Sequence, residues 1–125
     1  MESRSPRMSS GRALLLLRIR AAVEAGLRDP ALDAKAVAYA AGISVRYANA
    51  LLAQDDTSIG RLIQARRLSR CRRAFEDPLQ ARRTVSEIAY DWGFSDMTHF
   101  GRSFKKAFGV PPTEYRKLAK QQSNL

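Results

Sequence analysis

The sequence predicts an all-α fold of seven helices, and three observations predict it. Apolar residues recur at helical spacing along most of the chain, and no β-rich segment interrupts them. Helix-start residues precede the periodic segments at regular intervals. A block also repeats: Val37-Ala38-Tyr39-Ala40-Ala41-Gly42-Ile43-Ser44 returns 51 residues later as Ile88-Ala89-Tyr90-Asp91-Trp92-Gly93-Phe94-Ser95. Each copy sets a small residue four positions before a glycine, and a new capped helix follows. That is the sequence form of a helix-turn-helix. The expected organisation is therefore two helix-turn-helix subdomains joined by a long linker helix.

Residues 1–11 show no periodicity and are expected to be disordered. The first helix is expected from about Arg12 to Leu27, with Leu15, Ile19, Ala22, Val23 and Leu27 as its inward stripe. Asp29-Pro30 ends it. Asp33 caps a short second helix, 34–41. Gly42 turns the chain, because glycine takes positive φ without steric cost. Ser44 caps a third helix through about Gln54. Thr57 or Ser58 caps a long fourth helix through about Phe75, whose buried positions are Ile59, Leu62, Ile63, Leu68, Cys71, Ala74 and Phe75. Asp77-Pro78 opens a polar loop. Thr84-Val85-Ser86-Glu87 reads as a capping box and starts the fifth helix. Gly93 is the second turn. Asp96 caps a sixth helix that ends near Phe108-Gly109, and Pro112 suits the first position of a seventh, near 113–120. The expected divisions are 12–56 for the first subdomain, 57–76 for the linker helix, 77–120 for the second subdomain and 121–125 for a polar tail.

In the first unit Ala38 is the crossing residue, and Ala48, Leu51 and Leu52 face inward. In the second, Ala89 is the crossing residue, and Phe100 and Phe104 face inward. Helical geometry then assigns the outward positions. They are Val45, Arg46, Asn49 and Ala50 on the first recognition helix. On the second they are Met97, Thr98, Gly101, Arg102 and Lys105, with Lys106 beside them. Arginine pairs bidentately with guanine, asparagine with adenine, and Thr and Met can meet a thymine methyl. The second helix carries more cations, so it is expected to supply more of the discrimination. An 18-residue linker helix is about 27 Å long at 1.5 Å per residue, against roughly 34 Å between successive major-groove faces. It could present both recognition helices to one face of a duplex. Its arginines 61, 66, 67, 70, 72 and 73 are read either as phosphate contacts or as a solvated face paired in part with acids.

Composition agrees. The chain has 125 residues, 22 Lys+Arg against 12 Asp+Glu, and a formal net charge of +10. That surplus attracts a polyanion. The single cysteine, Cys71, excludes an internal disulfide and reads as a core residue. The single histidine, His99, excludes a zinc finger or a His-rich metal site. No apolar run is long enough to cross a membrane. The expectations are a cytoplasmic protein that is no enzyme, needs no cofactor and binds double-stranded DNA as a monomer. The competing reading is a basic helical protein that binds nucleic acid without sequence preference, on a nucleoid or on RNA. It would need the charge but not the repeated turn.

From about Arg12 to Arg116, and most specifically from Val85 to Arg116, the chain resembles the AraC/XylS family of bacterial transcription regulators. The matching pattern is Ile88-Ala89, Gly93-Phe94, His99-Phe100, Arg102, Phe104-Lys105, Phe108-Gly109, Pro112 and Tyr115-Arg116, with Arg67-Leu68 in the linker. The resemblance implies base contacts from Arg46, Asn49, Ala50, Met97, Thr98, Gly101 and Arg102, promoter DNA as target, and activation through RNA polymerase. It leaves His99 as either a phosphate contact or a structural residue. Asp56 stands where the family usually has glycine, and Ala50 where it often has a polar reader. The family's N-terminal effector and dimerisation domain does not fit into residues 1–11. The chain then resembles either a stand-alone member or the C-terminal part of a longer regulator.

Overall fold

A computed structural model of the chain describes residues 4–123. Among them lie seven α-helices and no strand: α1 Arg4–Gly26, α2 Ala34–Ala41, α3 Val45–Ala53, α4 Ile59–Glu76, α5 Val85–Asp91, α6 Met97–Phe108 and α7 Pro112–Ser123. A single 3₁₀ turn, Pro78–Gln80, occupies the loop after α4. α1 starts eight residues before the expected Arg12, so residues 4–11 are helical where disorder was expected. Once α1 is nucleated by its packed C-terminal half, each further turn closes bonds at little entropic cost. Pro6 falls in its first turn, where the missing N–H has no acceptor in any case. Residues 1–3, expected disordered, lie outside the described residues. α7 likewise runs past the expected Lys120 to Ser123.

The chain divides into two compact units, 1–27 with 31–64 and 28–30 with 65–125, so α4 contributes to both. In the first, Ile19, Val23 and Leu27 of α1 pack with Val37, Ala38, Ala41, Ala48, Leu51, Leu52 and Ile59. Asp33 accepts the Ala36 N–H at 2.9 Å and Ser44 the Tyr47 N–H at 3.0 Å, the two caps expected from the sequence. α4 starts under Ser58, whose Oγ accepts the Arg61 N–H.

The turns share one construction. Gly42 has φ 77°, and Ile43 N–H donates to the Ala38 carbonyl at 3.1 Å. Gly93 has φ 95°, and Phe94 N–H donates to the Ala89 carbonyl at 3.1 Å. Each is a Schellman close, with a left-handed residue satisfying the last carbonyls of a helix. α3 ends the same way: Thr57 N–H donates to Leu52 and Asp56 N–H to Ala53, both at 3.1 Å. Here the left-handed residue is Asp56, at φ 56°. Aspartate tolerates that region only at a steric cost. Asp56→Gly is therefore expected to raise stability by up to about 1 kcal/mol, with Asp56→Asn between the two. Chemical denaturation of the three proteins measures it, and a less stable glycine variant would show that the carboxylate holds the turn.

The second unit is built on aromatic rings. Phe104 lies fully buried, with Phe108 at 4.7 Å, Phe75 and Tyr115 at 5.6 Å and Phe100 at 5.8 Å between ring centroids. Phe94 meets Phe100 at 4.7 Å. Leu68, Cys71, Ala74, Ile88 and Ala89 complete this core. The Thr84–Glu87 capping box is formed in both directions, at 3.0 and 3.1 Å. Burial, with the Asp91 carboxylate nearby, pushes the Cys71 thiol up to about 12, so it stays protonated at neutral pH.

Candidate nucleic-acid interface

α6 separates its faces cleanly because its aromatic and cationic residues fall on opposite sides of a 3.6-residue period. Phe100 and Phe104 are buried, and Met97 and Phe108 are half-buried against the same core. Thr98, His99, Arg102, Lys105 and Lys106 are exposed. Asp96 fixes the start of the helix by accepting the His99 N–H at 3.0 Å. Between that cap and Gly109, α6 carries no acidic residue. Its exposed cations therefore have no competing anion on their own helix.

α3 is shorter, nine residues against twelve. Arg46 and Ala50 are exposed, and Val45 and Asn49 are half-buried. The Asn49 Oδ1 accepts the Ile59 N–H at 2.9 Å, so this side chain helps to start α4. Bidentate pairing with adenine needs that same oxygen as acceptor together with the amide N–H as donor, and would compete with the bond already made. Arg12 donates to Gln54 at 2.7 Å and lies 3.4 Å from Asp55, offsetting that acid beside the end of α3.

The charge is unevenly divided. The first unit holds eight basic and five acidic residues, the second fourteen and seven, or +3 against +7. Part of the second unit's basic charge is structural. Arg67, expected on the surface of the linker helix, is buried, and its Nη2 donates to the Asp29 carbonyl at 2.7 Å. Desolvation lowers its pKa, with Asp29 opposing. The helical period did contain this signal, because Arg67 falls four residues after Ile63 and four before Cys71, both inward positions. Arg72 lies 5.1 Å from the Phe108 ring and 4.0 Å from Glu76. Arg70 lies 5.5 Å from the Trp92 ring, and Arg28 stacks on it at 3.9 Å. Arg28 and Arg83 both engage Asp91, and the Arg28 hydrogen bond is the main reason its carboxyl titrates below the usual range. Arg116 donates to the Gln80 carbonyl at 2.7 Å and to that of Arg83, holding the loop before α5. Tyr115 donates to Glu76. The Tyr115-Arg116 pair thus fastens the unit and leaves α6 to face outward. Arg61 and Arg73 of the linker run remain exposed.

Met97 is closer to the core than an outward assignment implies, through its packing on the aromatic cluster. Arg102, Lys105 and Lys106, with Thr98 one turn before Arg102, form a more continuous exposed stripe than any on α3. Among the described residues, no group of three His, Cys, Asp or Glu could hold a metal ion. No helix among them is long and apolar enough to cross a membrane.

A family model described as a helix-turn-helix domain matches residues 37–118. "Transcriptional activator RhrA" of Rhizobium meliloti (strain 1021) is 30% identical over 115 residues, 92% of this chain and 36% of that protein. "Transcriptional activator NphR" of Rhodococcus sp is 31% identical over 102 residues, 82% of this chain and 30% of that protein. The chain thus spans about a third of the length of these curated relatives. Among solved structures, the C-terminal domain of AraT, a response regulator from Geobacillus stearothermophilus, superposes with a TM-score of 0.73 at 25% identity. That match covers 83% of this chain and 84% of the other.

Proposed function

This chain belongs to the AraC/XylS helix-turn-helix family, and on that premise we propose that it binds promoter DNA sequence-specifically and activates transcription. The family is one of DNA-binding transcription regulators, not of enzymes. α6 enters one major-groove segment and α3 a neighbouring one. The site is asymmetric, about 20 bp long, and bound by a monomer in the cytoplasm, and the bound protein contacts RNA polymerase. The observation that carries this reading is the exposed stripe of Thr98, Arg102, Lys105 and Lys106 on a helix free of acids.

The two units distribute their readers differently. If Phe100 corresponds to Ala48, Arg102 corresponds to Ala50 and Thr98 to Arg46. Arg102 is exposed with Lys105 and Lys106 close along the helix, whereas Arg46 is the one cation of α3. Arg102→Ala is expected to cost about 1–3 kcal/mol on the preferred site and to relax preference at one base pair. Arg46→Ala is expected to cost less. Affinities for the selected site and its single-base variants, at fixed salt, check this ranking. If Arg102→Ala weakens every sequence equally, Arg102 binds phosphate alone. Equal competition by unrelated duplex would favour a nucleoid or RNA-binding role instead.

A further inference from the structure

Gly101 sits in the middle of α6, where glycine is about 1 kcal/mol less favourable than alanine. Packing does not call for it. A Cβ built at Gly101 meets nothing within 4 Å, and its φ lies outside the positive region. The glycine is half-exposed and lies on the flank of the reading face, one turn after Met97 and one turn before Lys105. The corresponding position in the first unit, Asn49, is filled and bonded to Ile59. Gly101 therefore leaves a notch one side chain deep. No side chain stands within 4 Å of that space, and the backbone of α6 forms its floor.

We infer that this notch receives the C5 methyl group of a thymine, making Gly101 a specificity-determining residue. The inference rests on the DNA-reading role proposed above and adds a base identity to it. Thymine is the base that carries a methyl group into the major groove. A methyl is the size of the missing side chain, and no polar side chain stands within 4 Å to compete for the space. Any side chain at position 101 would occupy the space the methyl needs.

The test is a pairing of methyl groups across the interface. A site is selected from random duplex with the unaltered protein, and each thymine in it is then replaced by deoxyuridine. Affinity is measured for the unaltered protein and for Gly101→Ala, beside the melting temperature of each. At one thymine the unaltered protein is expected to lose about fourfold on deoxyuridine, the worth of one buried methyl group. Gly101→Ala is expected to bind the thymine site about tenfold more weakly through overpacking. It recovers when that same methyl is removed, while its melting temperature rises by a few degrees. Equal binding of the thymine site by both proteins overturns the inference. So does a loss that no deoxyuridine restores, or a melting temperature that falls. No preference by the unaltered protein over unrelated duplex overturns the DNA-reading role itself, and the inference with it.

Discussion

Phe104→Ala is expected to destabilise the second unit by about 3–5 kcal/mol, the range for emptying a phenylalanine site in a packed core. Phe104 is fully buried and meets four other rings, from α4, α6 and α7. None of them can swing into the vacancy without losing its own contacts, so the cavity stays largely open. A small domain has a total stability of about 5–15 kcal/mol, so the loss is a large fraction of what holds α6 in place. Equilibrium denaturation followed by tyrosine and tryptophan fluorescence measures it, because Trp92 and Tyr115 both pack on this core. Phe104→Leu, which keeps most of the volume, is expected to lose less. A cost below about 1 kcal/mol for the alanine variant would show that the aromatic cluster relaxes freely.

Raising salt from 50 to 200 mM is expected to weaken DNA binding about a thousandfold. Neutralising on the order of 6 phosphates gives a slope near −5 in log K against log salt. Arg102, Lys105, Lys106, Arg46, Arg61 and Arg73 are exposed cations able to supply such contacts. Arg67 and Arg116 are excluded from that set by their backbone partners. Titrations at four salt concentrations give the slope. A value near zero would mean that the net charge of +10 does not face the duplex.

Features encoded locally were legible in the sequence. The caps at Asp33, Ser44, Thr84 and Asp96 form as expected, because a cap involves residues three apart. Every apolar position expected inward on α4 is buried, since burial follows helical period, and Arg67 joins them against expectation. Interactions that join distant residues left no such trace. Arg67 finds the Asp29 carbonyl 38 residues away, and Arg116 finds that of Gln80 36 residues away. A pattern of types along the chain carries no information about which carbonyls will lack a donor. The start of α1 was missed for another reason. Helix extension beyond a packed segment is favourable without an apolar stripe, so residues 4–11 show no periodicity to read.

The Asn49–Ile59 bond sets a constraint on how this protein can diverge. Replacing Asn49 removes an acceptor from the start of α4, so under the proposed DNA-reading role a new base preference there arrives with a folding defect. Arg46 and Ala50 are exposed, and substitutions at those positions leave that bond in place. Under the proposed DNA-reading role of α3, drift in its target sequence is thus channelled through two positions, while a third is held by the architecture.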